Sequence, residues 1–408
     1  MRAILVSVLS VLAAASLASA QSLFGVTATG GSQTPVTVGG SSLIDLVDDA
    51  VNTRGSFAPF SGEDTSFSLR YGNVNNAITI TKNAANTEAT LTFGPTGVTR
   101  TFTGVSQADL ERQIEDYLKK NGRDDVREFL RAMNRLSVIA VSDGNPNATT
   151  ARMAEHTYHR FGFFADETRS QIWNEGKSDA AGAQFQVTFA AKTYDVGDFT
   201  GDSATLGLST TFNFTERIGF SLGGFFTYNT IEEADVFHVG FAAGLPIRLV
   251  LPEEKKGVLW QVTPFLSSGA SGSEDIAAGG LIVGGGVANY VGWRLTDSFT
   301  LGVANQISFY RGRPVEFGKD FELDPGVRQS ILKNGVKGTL ALGESWGLYG
   351  GVSYTNFLDD ASIEEWWTPE LGVTFSNKAG TGFLVGISGD FGDDYTAYGA
   401  RAVLKLAF

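Results

Sequence analysis

The segment YTAYGARAVLKLAF, residues 395–408, alternates in side-chain character as far as its last residue. With the two-residue period of a strand, Tyr398, Ala400, Ala402, Leu404, Leu406 and Phe408 share one face, and Tyr395, Gly399, Arg401 and Lys405 share the other. One face suits hydrocarbon and the other suits water. A chain seldom stops on an exposed apolar strand, because the unpaired edge invites association with other chains. The ending therefore predicts a closed sheet or a membrane, and is met best by both together.

Upstream, the same alternation recurs from Gln184 in segments of about ten to fourteen residues, the span a membrane strand needs. Twelve strands are expected, starting near Gln184, Asp202, Arg217, Val236, Val258, Ala277, Ser298, Ile331, Trp346, Ile363, Thr381 and Asp394. Bacterial barrels usually have an even strand number. In the second strand Ala204, Leu206, Leu208, Thr210, Phe212 and Phe214 point outward, while Thr205, Gly207, Ser209, Thr211 and Asn213 point inward. If the chain ends in the periplasm, the links there should be short and the others longer. Links 215–216, 296–297, 343–345 and 376–380 fall on the short side, 311–329 on the long side, and 250–257 is the exception. Phe214, Trp260, Trp293, Phe299, Trp346, Phe375, Phe383 and Phe408 gather at the periplasmic ends, as an aromatic girdle requires.

On these residues the chain resembles Gram-negative outer-membrane β-barrels, whose last strand commonly ends in an aromatic residue. The resemblance implies that Tyr398, Leu404, Leu406 and Phe408 form the signal read by the barrel assembly machinery. In strand number and terminal aromatic, residues 184–408 are similar to the translocator barrel of autotransporters, in which a helix threads the pore before the first strand. A long passenger of β-helix repeats is not found upstream.

Composition agrees with a β-rich membrane protein: 50 Gly, 30 Phe and no Cys in 408 residues. After the N-terminus no apolar run of about 20 residues marks a helical span. Residues 1–20 carry one Arg, an apolar core and an Ala-Ser-Ala ending, the pattern of a cleavable secretory signal. Its removal leaves 30 basic against 44 acidic residues, a net charge of −14, which disfavours nucleic acid as a partner.

Residues 21–105 read as a small α+β module. Residues 21–40 are expected to be loose or a first short strand, and 41–54 an amphipathic helix behind a Ser cap. A meander of strands follows at 66–71, 77–82, 89–93 and 98–103. Residues 106–183 read as a helical hairpin, with Leu110, Ile114, Tyr117 and Leu118 on one stripe and Val126, Phe129, Leu130 and Met133 on the next. A connecting segment completes this region, with a strand at 138–141 and a helix at 149–164. The hairpin either packs on the meander or plugs the pore.

Inward phase gives the barrel a lumen lined by Lys192, Arg217, Arg248, Arg294, Lys333, Lys337, Arg401 and Lys405, against Glu370 and Asp390. Arg217, Arg248, Arg294 and Lys405 would form a basic collar near the periplasmic end, and basic rings favour anions. The alternative is pairing with acids of a plugging helix, such as Glu111, Glu115 and Asp116. Acids crowd the opposite loops, among them Asp195, Asp198, Glu232, Glu233, Asp235, Asp359, Asp360, Asp393 and Asp394. Solvated loops account for them without a metal.

The residues offer little chemistry. His238 has no Ser two positions away and no Asp to complete a hydrolytic triad. His156, His159 and Glu155 share a helix face but lack a further metal ligand. Gly284, Gly285 and Gly286 lie within a strand and form no phosphate loop. The expectation is a mainly β protein, a 12-stranded antiparallel transmembrane barrel with an α+β module. It would be a non-enzymatic outer-membrane channel for small anionic solutes, without cofactor or metal, its N-terminal module periplasmic. Its partners would be outer-membrane lipid, lipopolysaccharide and the assembly machinery. The alternative function is an autotransporter-like translocator or anchor displaying the module.

Overall fold

In the computed structural model the described residues are 22–163, 183–252, 257–276, 278–317, 321–343, 345–376 and 381–407. The expected secretory segment and Phe408 lie outside them.

The chain opens with a hairpin, β1 (Phe24–Gly30) and β2 (Gln33–Gly40). Where a loose stretch or one short strand was expected, two strands pair because Gly30 and Gly31 take positive φ at the turn, while Phe24, Val26 and Ala28 alternate into the core. Helix α1 (Leu43–Val51) starts at Ser42, whose hydroxyl accepts the Asp45 amide at 3.3 Å. Next come β3 (Thr65–Tyr71), β4 (Val74–Lys82), β5 (Glu88–Phe93) and β6 (Val98–Thr103). They form one six-stranded sheet in the order β2-β1-β3-β4-β5-β6.

Helices α2 (Gln107–Asp116) and α3 (Arg123–Leu136) pack on this sheet. Tyr117 joins them: it is buried with Leu91 and Phe93, and its hydroxyl donates to Asp125 at 2.5 Å. Residues 138–141 are buried but form no strand. They enter helix α4 (Thr149–Thr157), which runs on as a turn of π-helix, Tyr158–Gly162.

The barrel begins with β7 (Ala183–Val196), β8 (Phe199–Asn213), β9 (Gly219–Ile231) and β10 (Ala234–Gly244). A short β11 (Ile247–Val250) precedes β12 (Gly257–Ser273), β13 (Ala278–Arg294) and β14 (Phe299–Arg313). A hairpin of β15 (Val315–Phe317) and β16 (Phe321–Leu323) projects before β17 (Arg328–Ala341). The last four are β18 (Trp346–Phe357), β19 (Glu365–Ser376), β20 (Gly382–Gly392) and β21 (Tyr395–Ala407). Every neighbour pairs antiparallel, and β21 pairs with β7 from Tyr395 opposite Val196 to Ala407 opposite Gln184. With β10 paired to β12, twelve strands close into a ring.

Ala183 and Ala407 share one end, here the near end; the opposite end is the far end. On the outside, Phe189, Leu266, Leu371, Ile387 and Leu404 are exposed between two aromatic levels. Trp346, Phe375 and Phe383 cluster near one end, with ring centroids 5.1–5.8 Å apart. Near the other, Tyr228 meets Phe237, Tyr354 meets Trp367, and Phe391 meets Tyr398. On β19 Trp367 and Phe375 are eight positions apart. At about 3.3 Å per residue and a tilt of about 40°, that is roughly 20 Å, close to the apolar band of an outer-membrane barrel. An apolar band between two aromatic girdles makes this a membrane-spanning barrel.

Link length does not sort as the sequence suggested. Three far-end links are two-residue turns, 197–198, 232–233 and 393–394, whereas near-end links such as 295–298 are longer. Gly197, Glu232 and Asp394 adopt positive φ, so acids read as loop residues are themselves hairpin turns. The N-terminal sheet sits on this far end. Leu23 and Phe24 share a core with Val196, Phe199, Ile231, Ile276, Phe357, Trp366 and Tyr395 of the barrel rim. The Leu43 amide donates to the Asp275 carbonyl at 2.9 Å, and Arg135 pairs with Asp360 at 3.1 Å.

Candidate functional site

The site is the barrel's interior, and the chain itself occupies it. After α3, the Ser362 hydroxyl donates to the Gly144 carbonyl at 2.7 Å at the far-end rim. One turn on, Thr149 and His238 bond at 3.1 Å. Halfway down, Gln306 donates to the Ala154 carbonyl and the Thr157 hydroxyl, both at 3.0 Å. Lower still, Phe161 stacks on Phe265 and Phe163 meets Tyr290 edge-on. The sequence 138–163 thus passes from the module at the far end towards the near end, where Ala183 opens the first barrel strand. Backbone glycines make room for it: a methyl at Gly244 would meet Phe161 and one at Gly269 would meet Met153.

Charge fixes the segment laterally. Lys192 lies 2.9 Å from Glu155 and 3.0 Å from Asp390, so one wall cation bridges the segment and β20. Asp390 also accepts from Thr368 at 2.7 Å and from Tyr395 at 3.3 Å. Glu155 has Arg152 at 3.9 Å and His159 at 4.0 Å. On β19, the strand beside β20, Glu370 lies 3.4 Å from Lys337 and 3.6 Å from Arg401. The ammonium of Lys333 sits over the Tyr158 ring, and that of Lys337 over Phe163 and Tyr349. Arg160 donates to Gln186 at 3.2 Å and to Thr211. Near the rim, burial pushes the Asp143 carboxyl up to about 6, against the donors Thr150 and Gly144.

The structure gathers Lys192, Lys333, Lys337, Arg401 and Lys405 on the inner wall, all buried or nearly so. It places Arg217 in the exposed turn after β8 and Arg294 at the near-end edge of β13. Arg248 is buried under that turn, donating to the Glu216 carbonyl at 2.8 Å and to Asn213 at 2.9 Å. Its guanidinium therefore ties strand ends together. Tyr398 and Leu404 face outward on the last strand. Glu111, Glu115 and Asp116 belong to α2, which packs on the small sheet, so the acid from the plugging segment is Glu155. Sequence reading treated 149–164 as a joiner. The available signal was the spread of Arg152, Glu155, His156, His159 and Arg160 around the helix among small Ala148, Ala151 and Ala154: no side is left for solvent.

Two small voids flank the segment, about 80 Å³ beside Arg152 and His156 and about 40 Å³ beside Lys333 and Glu370. At that size they have room for no more than a few waters. Among the described residues no group of three His, Asp or Glu is placed to hold a metal.

No known family profile matches the sequence, and no curated protein matches it. Solved structures do. The chain is similar in fold to outer-membrane translocators and channels. The translocator domain of autotransporter NalP from Neisseria meningitidis matches at 12% identity and a TM-score of 0.43, covering 64% of this chain and 97% of that one. The beta domain of the Bordetella autotransporter Brka matches at 12% identity and a TM-score of 0.40, covering 56% and 100%. An outer membrane channel from Pseudomonas putida F1 matches at 12% identity and a TM-score of 0.42, covering 56% and 97%.

With the barrel's own geometry in hand, Glu155 is the side chain on which the seating of the segment turns. Glu155→Gln keeps the shape and leaves Lys192 and Arg152 facing a neutral amide. The expected loss is about 3 kcal/mol in the local stability of α4. Hydrogen exchange of the amides in 149–157 should accelerate about a hundredfold, while the strands stay protected.

Proposed function

We propose that the barrel anchors its own N-terminal module at the outer surface and holds the connecting segment across the membrane, as an autotransporter-like translocator does. One observation carries this reading: the chain enters the lumen from the module at the far end and leaves it towards the end where the barrel starts and finishes. An even-stranded barrel returns both its ends to one side, and a chain delivered from the periplasm leaves them there. The far end then faces outward, and the module, residues 22–136, goes with it. This departs from the expectation of a periplasmic module: that expectation had no view of the lumen, through which the module's covalent tether runs.

The absence of Cys from the sequence makes the test direct. Ala85 is exposed in the turn between β4 and β5, and Asp297 is exposed in a near-end turn. In intact cells a membrane-impermeant maleimide should label Ala85→Cys and not Asp297→Cys until the outer membrane is permeabilised. The reverse pattern would return the module to the periplasm.

A second reading, the solute channel, is favoured by the wall: Lys192, Lys333, Lys337, Arg401 and Lys405 stand against Asp390 and Glu370, and such a wall prefers anions. It requires the segment to leave, since the voids of about 80 and 40 Å³ beside it have room for no more than a few waters. The anchor reading expects full-length protein in planar bilayers to pass no steady current; sustained anion-preferring current would favour the channel.

A further inference from the structure

A basic cluster stands on the outside of the barrel, where the lipid-facing surface meets the far-end rim. Arg311 and Arg328 face each other directly on the last rung of the β14 and β17 ladder. Arg313, two residues on, is opposite Leu281. All three are exposed. Arg131 of α3 joins them from above, its Nε donating to the Gly326 carbonyl at 3.3 Å.

Like charges directly across a ladder repel, and a strand pair normally avoids them. The sequence as a whole is acidic, with a net charge of −13, so composition does not force the arrangement. Neighbouring arginines of α3 are neutralised, Arg127 by Asp124 at 2.8 Å and Arg135 by Asp360 at 3.1 Å. Among the described residues Arg131, Arg311, Arg313 and Arg328 have no carboxylate in ion-pair range.

Arg131, Arg311 and Arg328 line a groove of about 600 Å³ whose floor includes Phe309 and Val283. Phe309, two residues below Arg311 on the same outer face, is 54% exposed. A guanidinium fork above an apolar, membrane-facing floor matches one chemistry: a phosphate whose own molecule continues as hydrocarbon. We propose that this groove binds the phosphorylated headgroup of an outer-leaflet glycolipid, with Arg311 and Arg328 clasping one phosphate and acyl chains lying over Phe309. The leaflet rests on the orientation proposed above; the headgroup chemistry does not.

The test uses full-length protein in phosphatidylcholine nanodiscs that also carry lipid A, a bisphosphorylated diglucosamine lipid, or its dephosphorylated counterpart. Both leaflets carry the probe, so the result is independent of which way the barrel faces in cells. Native mass spectrometry counts retained lipid. Wild-type protein should retain the phosphorylated form about tenfold more than the dephosphorylated one. Arg311→Gln with Arg328→Gln should abolish that preference, while Arg54→Gln on the module leaves it intact. Heat-modifiable migration shows that each variant is folded. Inorganic phosphate in the buffer should leave the lipid bound, because it supplies no acyl contact. Equal retention of both lipids by wild type, unchanged preference in the double variant, or complete displacement by inorganic phosphate would each overturn the proposal.

Discussion

In hydrocarbon no water is available to a backbone amide or carbonyl, so each must find its partner within the protein. A sheet meets that demand only by closing. Here the condition falls on the seam between β21 and β7, where thirteen residue pairs from Tyr395 to Ala407 join the last strand to the first. Closure gives every strand an outside and an inside, and the rest of the molecule follows from which side chains each strand sends where. Phe189, Leu266, Leu371 and Ile387 go to lipid; Lys333, Lys337, Gln306 and Thr227 go inward, with rings such as Tyr290 and Tyr349 among them.

An interior built this way is polar, and a polar interior needs partners. Lys192, Lys333 and Lys337 cannot reach bulk water from mid-wall, and the barrel's own Asp390 and Glu370 answer part of their charge. Glu155 and the rings of Tyr158 and Phe163 answer more. Wall and segment are thus complementary, which is a different design from an open pore whose basic residues face mobile ions. The same complementarity explains why the segment is irregular. The π-helical turn at Tyr158–Gly162 follows directly on α4, in the stretch where Tyr158, Arg160, Phe161 and Phe163 reach separate parts of the wall.

The barrel was legible because alternation is a local signal repeated twelve times, and the inward phase of Lys192, Lys337, Glu370 and Asp390 follows from it. The near-end aromatic level was legible for the same reason; the far-end level of Tyr228, Phe237, Tyr354, Trp367 and Phe391 was present in the same strands and passed over. What the sequence did not disclose depends on contacts between distant parts. Nothing near Ile139 or Thr149 announces that their neighbours are Gly72 and His238. Arg248 keeps the buried phase of its partner Gln261, yet its guanidinium ends on the Glu216 carbonyl and Asn213, contacts that alternation does not announce. The β1 and β2 hairpin was obscured by its glycines, which look like linker until Phe24, Val26 and Ala28 are seen to need a core.

The central claim is that the connecting segment lies in the lumen of the folded protein. Thr149 on the segment and His238 on the wall are in side-chain contact, and the chain has no cysteine of its own. Thr149→Cys with His238→Cys, oxidised mildly in intact cells, should form a near-complete disulfide, seen as a reduction-sensitive mobility shift of the unfolded chain. Two cysteines that react separately with a thiol reagent and never with each other would contradict the account.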